Sequence, residues 1–411
     1  MKTEKTIRGL AVVLGVAGSL SLLGAGGGGR QPAPSLSPVL RQDATIVHGM
    51  RLDFPGQPAG NWAPMKTSLY GRQAAFVLGN NASRTQASRV YYFDQAAGTG
   101  RLLATDARPF SYAPIWHYKS GGVGVNGRFV AYCRDDGAAA LVRLVDSKIF
   151  PVSVRGRKCT NVSSHNPDPA GFGLLFSYAS DQSYRPLDAW SALYYCSVNE
   201  KGTRVNRLVD DSYKRLDNYY RDPNPYLYNR GPQLLGGGGL AWLFGGHMDM
   251  GTTLRYRLPG ETTVREIPGQ DFAALGLQRP ALISASGDLV FIYHYTGGNE
   301  AGFGPPTGTT SGLSVYNVST RKLSRLKDSR GKPVTGGSLA ISGKVGLFKI
   351  GYTIKKMNLD PSVPNDPMVV VKSLDKRLIG QISLGTDGIF TYLTAADEDV
   401  PGNKAYFSSI W

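Results

Sequence analysis

The chain has 411 residues, of which 41 % are hydrophobic, so it can bury a sizeable core and global disorder is excluded. Its 52 Gly and 25 Pro are too many for a helical protein and are typical of a fold with many turns. The net charge of +16 favours acidic partners such as nucleic acid, anionic glycans or phospholipid, although a role in solubility would also account for it. Since no run of five Lys or Arg occurs, a dedicated nucleic-acid tail is not expected.

The N-terminus has the pattern of a secretory signal peptide. Lys2, Lys5 and Arg8 precede an apolar stretch over residues 9–25, and polar, Pro-rich sequence follows it. An uncleaved anchor is the alternative to cleavage. A lipid anchor is not expected because no Cys follows the apolar stretch, and no later stretch is long enough to span a membrane.

Three segments follow from this pattern. We predict a signal peptide over residues 1–25, a flexible linker over residues 26–42 and a folded domain over residues 43–411. Removal of the signal peptide would leave no transmembrane segment in the mature chain.

Within the folded domain one sequence pattern recurs, in which a Gly-containing turn is followed by a strongly apolar strand, a loop and two further strands. Another short strand precedes most copies, and convincing helix is confined to residues 271–278. Successive copies begin roughly 45 to 65 residues apart, which indicates a repeat architecture. The copies occupy residues 71–105, 126–154, 171–210, 238–269, 286–328, 342–384 and 387–411.

The segments VNGRFVAY (125–132) and ASGDLVFIY (285–293) resemble the turn-and-strand motif of TolB-like blades. The chain is therefore similar to the β-propeller superfamily, with TolB-like and WD40-like blades, although no WD dipeptide recurs. The resemblance implies an all-β ring of about seven four-stranded blades. Six blades, or a pair of β-sandwiches, are the alternatives. Because the last unit ends after its third strand, residues 44–54 are expected to pair with it and close the ring.

The resemblance also implies a working face. In each blade, the loop between the second and third strands emerges on the same face as the connection to the next blade. We call this the long-loop face, because its loops are long here, and we expect binding there. The predicted loops are residues 177–190, 245–253, 294–312 and 351–367 within blades, and residues 210–231 between blades.

The loop at residues 210–231 interleaves Tyr with Lys and Arg. Tyr rings can stack on sugars or bases, and Arg can bind carboxylate or phosphate through two hydrogen bonds. A packed aromatic loop covering the rim of the ring is the alternative. The predicted ligand-binding residues of this loop are Tyr219, Tyr220, Arg221, Tyr226, Tyr228 and Arg230.

Histidines are few, and some fall near this face. His247, Asp249 and His294 are predicted on the long-loop face and, with His165, could form a metal or acid–base site. No two His are at ligand spacing, so isolated His is the alternative, and no resident metal or cofactor is predicted.

Two further segments carry open alternatives. The acidic run at residues 397–400 could bind Ca²⁺ or form a solvated loop. Trp116, His117 and Tyr118 lie on a predicted inner strand at residues 112–118, and could line the central channel or pack in the core.

The three Cys are too few for a disulfide framework, but one bridge can form in an oxidising compartment. On the propeller topology, Cys133 ends the second strand of one blade and Cys159 begins the first strand of the next. Both ends point to the long-loop face, whereas Cys196 lies toward the other. A Cys133–Cys159 disulfide with a free Cys196 is therefore predicted.

These patterns predict an exported cell-envelope protein that is periplasmic, cell-surface or secreted. It would act as a monomeric binding or scaffold module for a protein or an anionic glycan, with nucleic acid an unexpected partner. No GxSxG phrase supports α/β-hydrolase chemistry. The alternative is an extracellular polysaccharide-acting enzyme, a lyase or glycosidase, with its site on the long-loop face.

Overall fold

The computed structural model contains seven antiparallel sheets that form the blades of a β-propeller. Within the described ranges the only α-helix is α1 (Gly269–Ala274), and no helix there combines the length and apolar character needed to cross a membrane. The structure describes residues 49–80, 83, 85–109, 122–163, 171–178, 191–212, 214–215, 226–245, 252–278, 280–296, 310–360, 369–373, 378–394 and 404–410.

The first three complete blades follow the strand β1 (Met50–Arg51) along the chain. In each of these blades the four strands lie side by side in the same order as in the sequence. Blade 1 contains β2 (Trp62–Tyr70), β3 (Gln73–Asn80), β4 (Ser88–Asp94) and β5 (Thr99–Ala107); blade 2 contains β6 (Val123–Val125), β7 (Phe129–Cys133), β8 (Ala139–Arg143) and β9 (Ile149–Val152); blade 3 contains β10 (Arg157–Ser163), β11 (Gly171–Tyr178), β12 (Ser191–Val198) and β13 (Arg204–Asp210).

The remaining four blades keep this order, and blade 4 has one additional short strand at its inner edge. Blade 4 contains β14 (Lys214–Arg215), β15 (Tyr226–Leu234), β16 (Leu240–Gly245), β17 (Thr253–Arg257) and β18 (Arg265–Ile267); blade 5 contains β19 (Pro280–Ser286), β20 (Leu289–Thr296), β21 (Thr310–Asn317) and β22 (Lys322–Arg325); blade 6 contains β23 (Gly337–Ser342), β24 (Val345–Ile350), β25 (Thr353–Asn358) and β26 (Val369–Ser373); blade 7 contains β27 (Leu378–Leu384), β28 (Ile389–Thr394) and β29 (Lys404–Ser409), followed in space by β1.

The ring is closed by the N-terminal strand, as the sequence predicts. Met50 pairs with Phe407 and Arg51 with Tyr406, so β1 is the outer strand of blade 7. The inner strands β2, β6, β10, β15, β19, β23 and β27 each contact the next, and β27 contacts β2. Because blade 7 has its own inner strand, the blade count is seven rather than six.

The core consists of seven hydrophobic clusters, one between each pair of adjacent blades. The two-residue period of a strand sends alternate side chains to opposite faces of a blade. On β7, Phe129, Ala131 and Cys133 join the cluster with blade 3, whereas Val130 and Tyr132 join the cluster with blade 1. All five are buried, so the strand reads as one continuous apolar run.

Two predictions about where strands lie were wrong. Residues 351–367 are not one loop, because β25 occupies Thr353–Asn358 after a turn at residues 351–352. Its two adjacent lysines interrupt the apolar alternation that identifies a strand. The inner strand of blade 2 is Val123–Val125 rather than residues 112–118, which lie outside the described residues.

The helix α1 begins two residues before the predicted segment 271–278 and ends at Ala274. Gly276, with a φ of +65°, ends it in the left-handed conformation that glycine adopts without steric cost. The helix places Phe272 in the cluster between blades 4 and 5.

Candidate functional site

The strand order gives each face of the ring its own connections. Since neighbouring strands are antiparallel, connections from second to third strands and from one blade to the next share a face, which is the long-loop face. The described strands place residues 179–190, 246–252 and 297–309 between second and third strands, as predicted. Most of those loop residues lie outside the described part of the chain.

The segment at residues 210–231 is not a single loop. Tyr226, Tyr228 and Arg230 lie on β15, the first full strand of blade 4, and β14 pairs with that strand. The prediction of a loop at these positions was wrong, because the NPYLYNRG stretch lacks the apolar alternation of the other inner strands. Tyr219, Tyr220 and Arg221 lie outside the described residues.

The inner strand β15 is fixed to its neighbours by Asn229, which the sequence analysis did not single out. Its Nδ2 donates to the Ser191 carbonyl at 3.0 Å and to the Asp210 carbonyl at 3.1 Å. The Trp242 indole Nε1 donates to the Asn229 Oδ1 at 2.9 Å. Because Asn229 is fully buried, these bonds hold the end of blade 3 and the start of blade 4 in one position. A lone Asn in a strand carries no local signal of such a role.

The cation next to Asn229, Arg230, is half-buried, and its Nη2 donates to the Thr252 hydroxyl at 2.9 Å. Thr252 ends the connection between the second and third strands of blade 4. Arg230 therefore lies next to the end of one connection of the long-loop face, and its role in ligand binding stays a prediction.

His294 is part of the core. It is fully buried; its Nδ1 donates to the Gln278 carbonyl at 2.7 Å, and its Nε2 accepts from the Ser314 hydroxyl at 2.6 Å. Burial lowers the pKa of His294 to about 4, so the ring is neutral at pH 7. Both ring nitrogens are thus engaged within blade 5, and His294 is not exposed to a ligand on the long-loop face.

The predicted His cluster is not assembled in the part of the chain that the structure describes. His165, His247 and Asp249 lie outside it, and no group of three His, Cys, Asp or Glu that could hold a metal ion occurs within it. Trp116, His117, Tyr118 and residues 397–400 also lie outside the described residues.

One cation lies on an inner strand without a charged partner among the described residues. Lys66 is on β2, and burial lowers the pKa of its ammonium. The next two side chains point to the two blades that flank blade 1. The Thr67 hydroxyl shares a hydrogen bond of 2.9 Å with the Thr391 hydroxyl of blade 7, and the Ser68 hydroxyl accepts from the Val125 amide of blade 2 at 3.2 Å. Lys66 was not predicted as a site residue, because a lysine inside a strand ordinarily marks a solvated face.

A disulfide joins Cys133 of blade 2 to Cys159 of blade 3, with their Cα atoms 5.3 Å apart. The junction also contains hydrogen bonds, since the Cys159 amide donates to the Gly137 carbonyl and Arg108 Nη1 to the Cys159 carbonyl. Cys196 is a free, buried thiol, and burial raises its pKa to about 12.

Comparison with known proteins concerns the fold. No protein-family model and no curated protein matches the chain. An oligogalacturonate lyase in complex with manganese shares 9 % sequence identity with this chain and superposes with a TM-score of 0.52. The alignment covers 89 % of this chain and 96 % of the lyase. The oligogalacturonate lyase of Vibrio parahaemolyticus is 8 % identical with a TM-score of 0.51, covering 89 % and 97 %. The β-propeller domain of the Trilobed protease from Pyrococcus furiosus is 9 % identical with a TM-score of 0.48, covering 86 % and 97 %. At these identities the likeness concerns architecture alone, and by its fold the chain is a seven-bladed β-propeller.

Proposed function

We propose that this chain is an exported propeller of the cell envelope that binds a protein or an anionic glycan through its long-loop face. The observation that carries the proposal is the attachment of the Tyr/Arg segment at residues 210–231. Its two ends are held by Asn229 through bonds to the Asp210 and Ser191 carbonyls. A segment with fixed ends on a rigid ring loses less conformational entropy when it binds a partner.

The charge of the whole chain also supports an anionic partner. The segment at residues 210–231 is itself balanced, with four acidic and four basic residues. The net charge of the whole chain is +16, which favours a negatively charged partner.

Export is supported by the disulfide. A Cys133–Cys159 bridge persists in an oxidising compartment and is rare in reducing ones. The export proposal is tested by N-terminal sequencing of the protein recovered from the envelope fraction. A mature N-terminus near residue 26 supports signal cleavage, whereas an intact Met1 in the cytoplasmic fraction would refute export.

The binding proposal is tested with a triple variant, Tyr219→Ala, Tyr220→Ala and Arg221→Ala. We expect it to lose at least tenfold in affinity for heparin, used as the anionic glycan probe, or to release the protein that the mature wild type retains from envelope extract. Removal of two stacking rings and one charge-assisted contact accounts for a loss of that size. Binding is measured by surface plasmon resonance and by pull-down.

The matched control is Arg128→Ala, which removes one positive charge from a short turn on the opposite face. Its salt bridge to Glu200 is exposed at both ends, so its loss affects stability little. Equal loss of binding in the control and the triple variant, or heparin binding that does not weaken with salt, would contradict the proposal.

A further inference from the structure

A cavity of about 350 Å³ opens at the outer end of the junction between blades 4 and 5. This volume lies within the range of small-molecule sites. Its walls combine charged and hydroxyl groups with apolar surface, and all of its lining residues are within the described part of the chain. Its lining includes Tyr256, Tyr316, Arg265, Arg321, Asp271 and Leu323.

Two buried tyrosines line the cavity and share a hydrogen bond. Tyr256 is 3 % and Tyr316 5 % exposed, and their hydroxyl oxygens are 3.1 Å apart. One hydroxyl donates to the other, so the accepting hydroxyl still has a hydrogen of its own. Within the described residues no acceptor meets that hydrogen. A buried donor without an acceptor is costly unless a ligand or water satisfies it.

Two arginines bring positive charge to the tyrosine pair. Both Arg265 and Arg321 act electrostatically on the Tyr316 hydroxyl. Glu261 fixes Arg265 through two hydrogen bonds of 2.8 and 3.1 Å to Nη2 and Nε, which leaves Nη1 unused among the described contacts. Arg321 is exposed and interacts electrostatically with the same Glu261, and no salt bridge to Arg321 within 4 Å occurs among the described residues.

Arg321 also has an unusual backbone conformation. Its φ is +56°, in the left-handed region that is unfavourable for a residue with a side chain. It occupies the turn between the third and fourth strands of blade 5. At the same turn position blade 1 has Gly98, with φ +65°, and blade 3 has Gly202, with φ +81°. Blades 1 and 3 therefore use glycine at this position, whereas blade 5 uses arginine and blade 2 uses Ser147, with φ +57°.

We propose that this cavity binds a small hydroxylated carboxylate of the size of a sugar acid. The carboxylate would contact Arg321 and the free Nη1 of Arg265, and ligand hydroxyls would meet the tyrosine pair and Asp271. Leu323 supplies apolar surface for the carbon skeleton. The carboxylates of Glu266 and Asp271 also line the cavity, and they disfavour a dianion such as phosphate more strongly than a monoanion. The site uses none of the residues assigned to glycan or protein binding on the long-loop face, so the two proposals fail independently.

Binding is tested by isothermal titration calorimetry with glucuronate as the probe. Glucose, which lacks the carboxylate, and inorganic phosphate are the comparison ligands. We expect saturable binding of glucuronate, with glucose and phosphate at least tenfold weaker. No saturable binding of glucuronate, or phosphate binding of equal strength, would overturn the proposal.

The assignment of residues is tested with Arg321→Gly and Tyr316→Phe. Loss of one charge-assisted hydrogen bond predicts about a tenfold weaker affinity for glucuronate in each. The control is Ser147→Gly, because Ser147, with φ +57°, has the equivalent turn position in blade 2. Arg321→Gly and Ser147→Gly should both raise the Tm, since glycine relieves the strain, and only Arg321→Gly should lose binding. Unchanged affinity in Arg321→Gly would overturn the proposal.

Discussion

Polar side chains on the inner strands connect the blades. Thr67 joins blade 1 to Thr391 of blade 7, and the Ser286 hydroxyl of blade 5 accepts from the Gly343 amide of blade 6 at 2.7 Å. Such bonds satisfy buried hydroxyls and also specify how adjacent blades are aligned. His294 differs from this group, because it lies on the second strand of blade 5 and its ring nitrogens bond to Gln278 and Ser314 rather than to a neighbouring blade.

The stability of the protein should depend on pH through His294. The folded-state pKa is about 4 and the ordinary value 6.5, so the unfolded chain binds the proton at higher pH than the folded chain. The contribution of the neutral ring is therefore complete above pH 6.5 and is lost as the pH falls toward 4. The loss amounts to roughly 3 kcal/mol.

Urea unfolding of wild type and His294→Gln at pH 7 and pH 4 measures this contribution. The free energy of unfolding of the wild type should fall more steeply between the two pH values than that of the variant. The same fall in both proteins would show that His294 does not titrate as its burial requires.

Single elements differ in how far their sequences reveal them. The strand β7 was predicted because each of its residues is apolar and serves one of two clusters. The strand β25 was missed because Lys355 and Lys356 separate its two buried residues, Ile354 and Met357. Local pattern identifies a strand only where burial on its two faces is regular.

The candidate sites were less predictable than the strands. Arg230 was singled out from its Tyr/Arg context; the structure bonds it to Thr252, and its binding role stays a prediction. Asn229 could not be predicted from the sequence, because its three hydrogen bonds connect it to residues that are 38, 19 and 13 positions away. The same holds for the cavity between blades 4 and 5, where Tyr256 and Tyr316 are 60 residues apart. Such groups meet only after the blades have packed.

The disulfide covalently connects a strand of blade 2 to a strand of blade 3. It closes a segment with a sequence separation of 26, so its removal should lower the free energy of unfolding by about 3 kcal/mol in the chain-entropy description. Cys133→Ser combined with Cys159→Ser tests this by chemical denaturation. Cys196→Ala, which removes a free thiol, is the control for loss of a buried sulfur.

Thiol titration in denaturant distinguishes the oxidised state directly. One reactive thiol without reductant and three with reductant are expected. Three thiols without reductant in protein purified from the envelope would contradict the bridge.

The whole molecule depends on closure by its N-terminal strand. Without β1, the strand β29 would present an open edge, and Leu52 and Phe54 would leave the cluster between blades 7 and 1. Phe54 makes edge contacts to Phe76, Tyr91 and Phe93 with ring centroids 5.2–5.6 Å apart. Deletion of residues 1–55 should therefore lower the Tm and promote aggregation.

Deletion of residues 1–42 is the matched control, because it leaves β1 and the following aromatic contacts in place. Its Tm should equal that of the full chain, measured by differential scanning calorimetry with light scattering for aggregation. An equal Tm after the longer deletion would show that the ring does not need β1.

The claim that the long-loop face is the binding face is tested most directly by hydrogen–deuterium exchange of the mature protein with and without heparin. We expect slower exchange on binding in peptides covering residues 216–225 and 246–252, and no change in the short turns of the opposite face. Protection confined to those turns, such as residues 199–203, would contradict it.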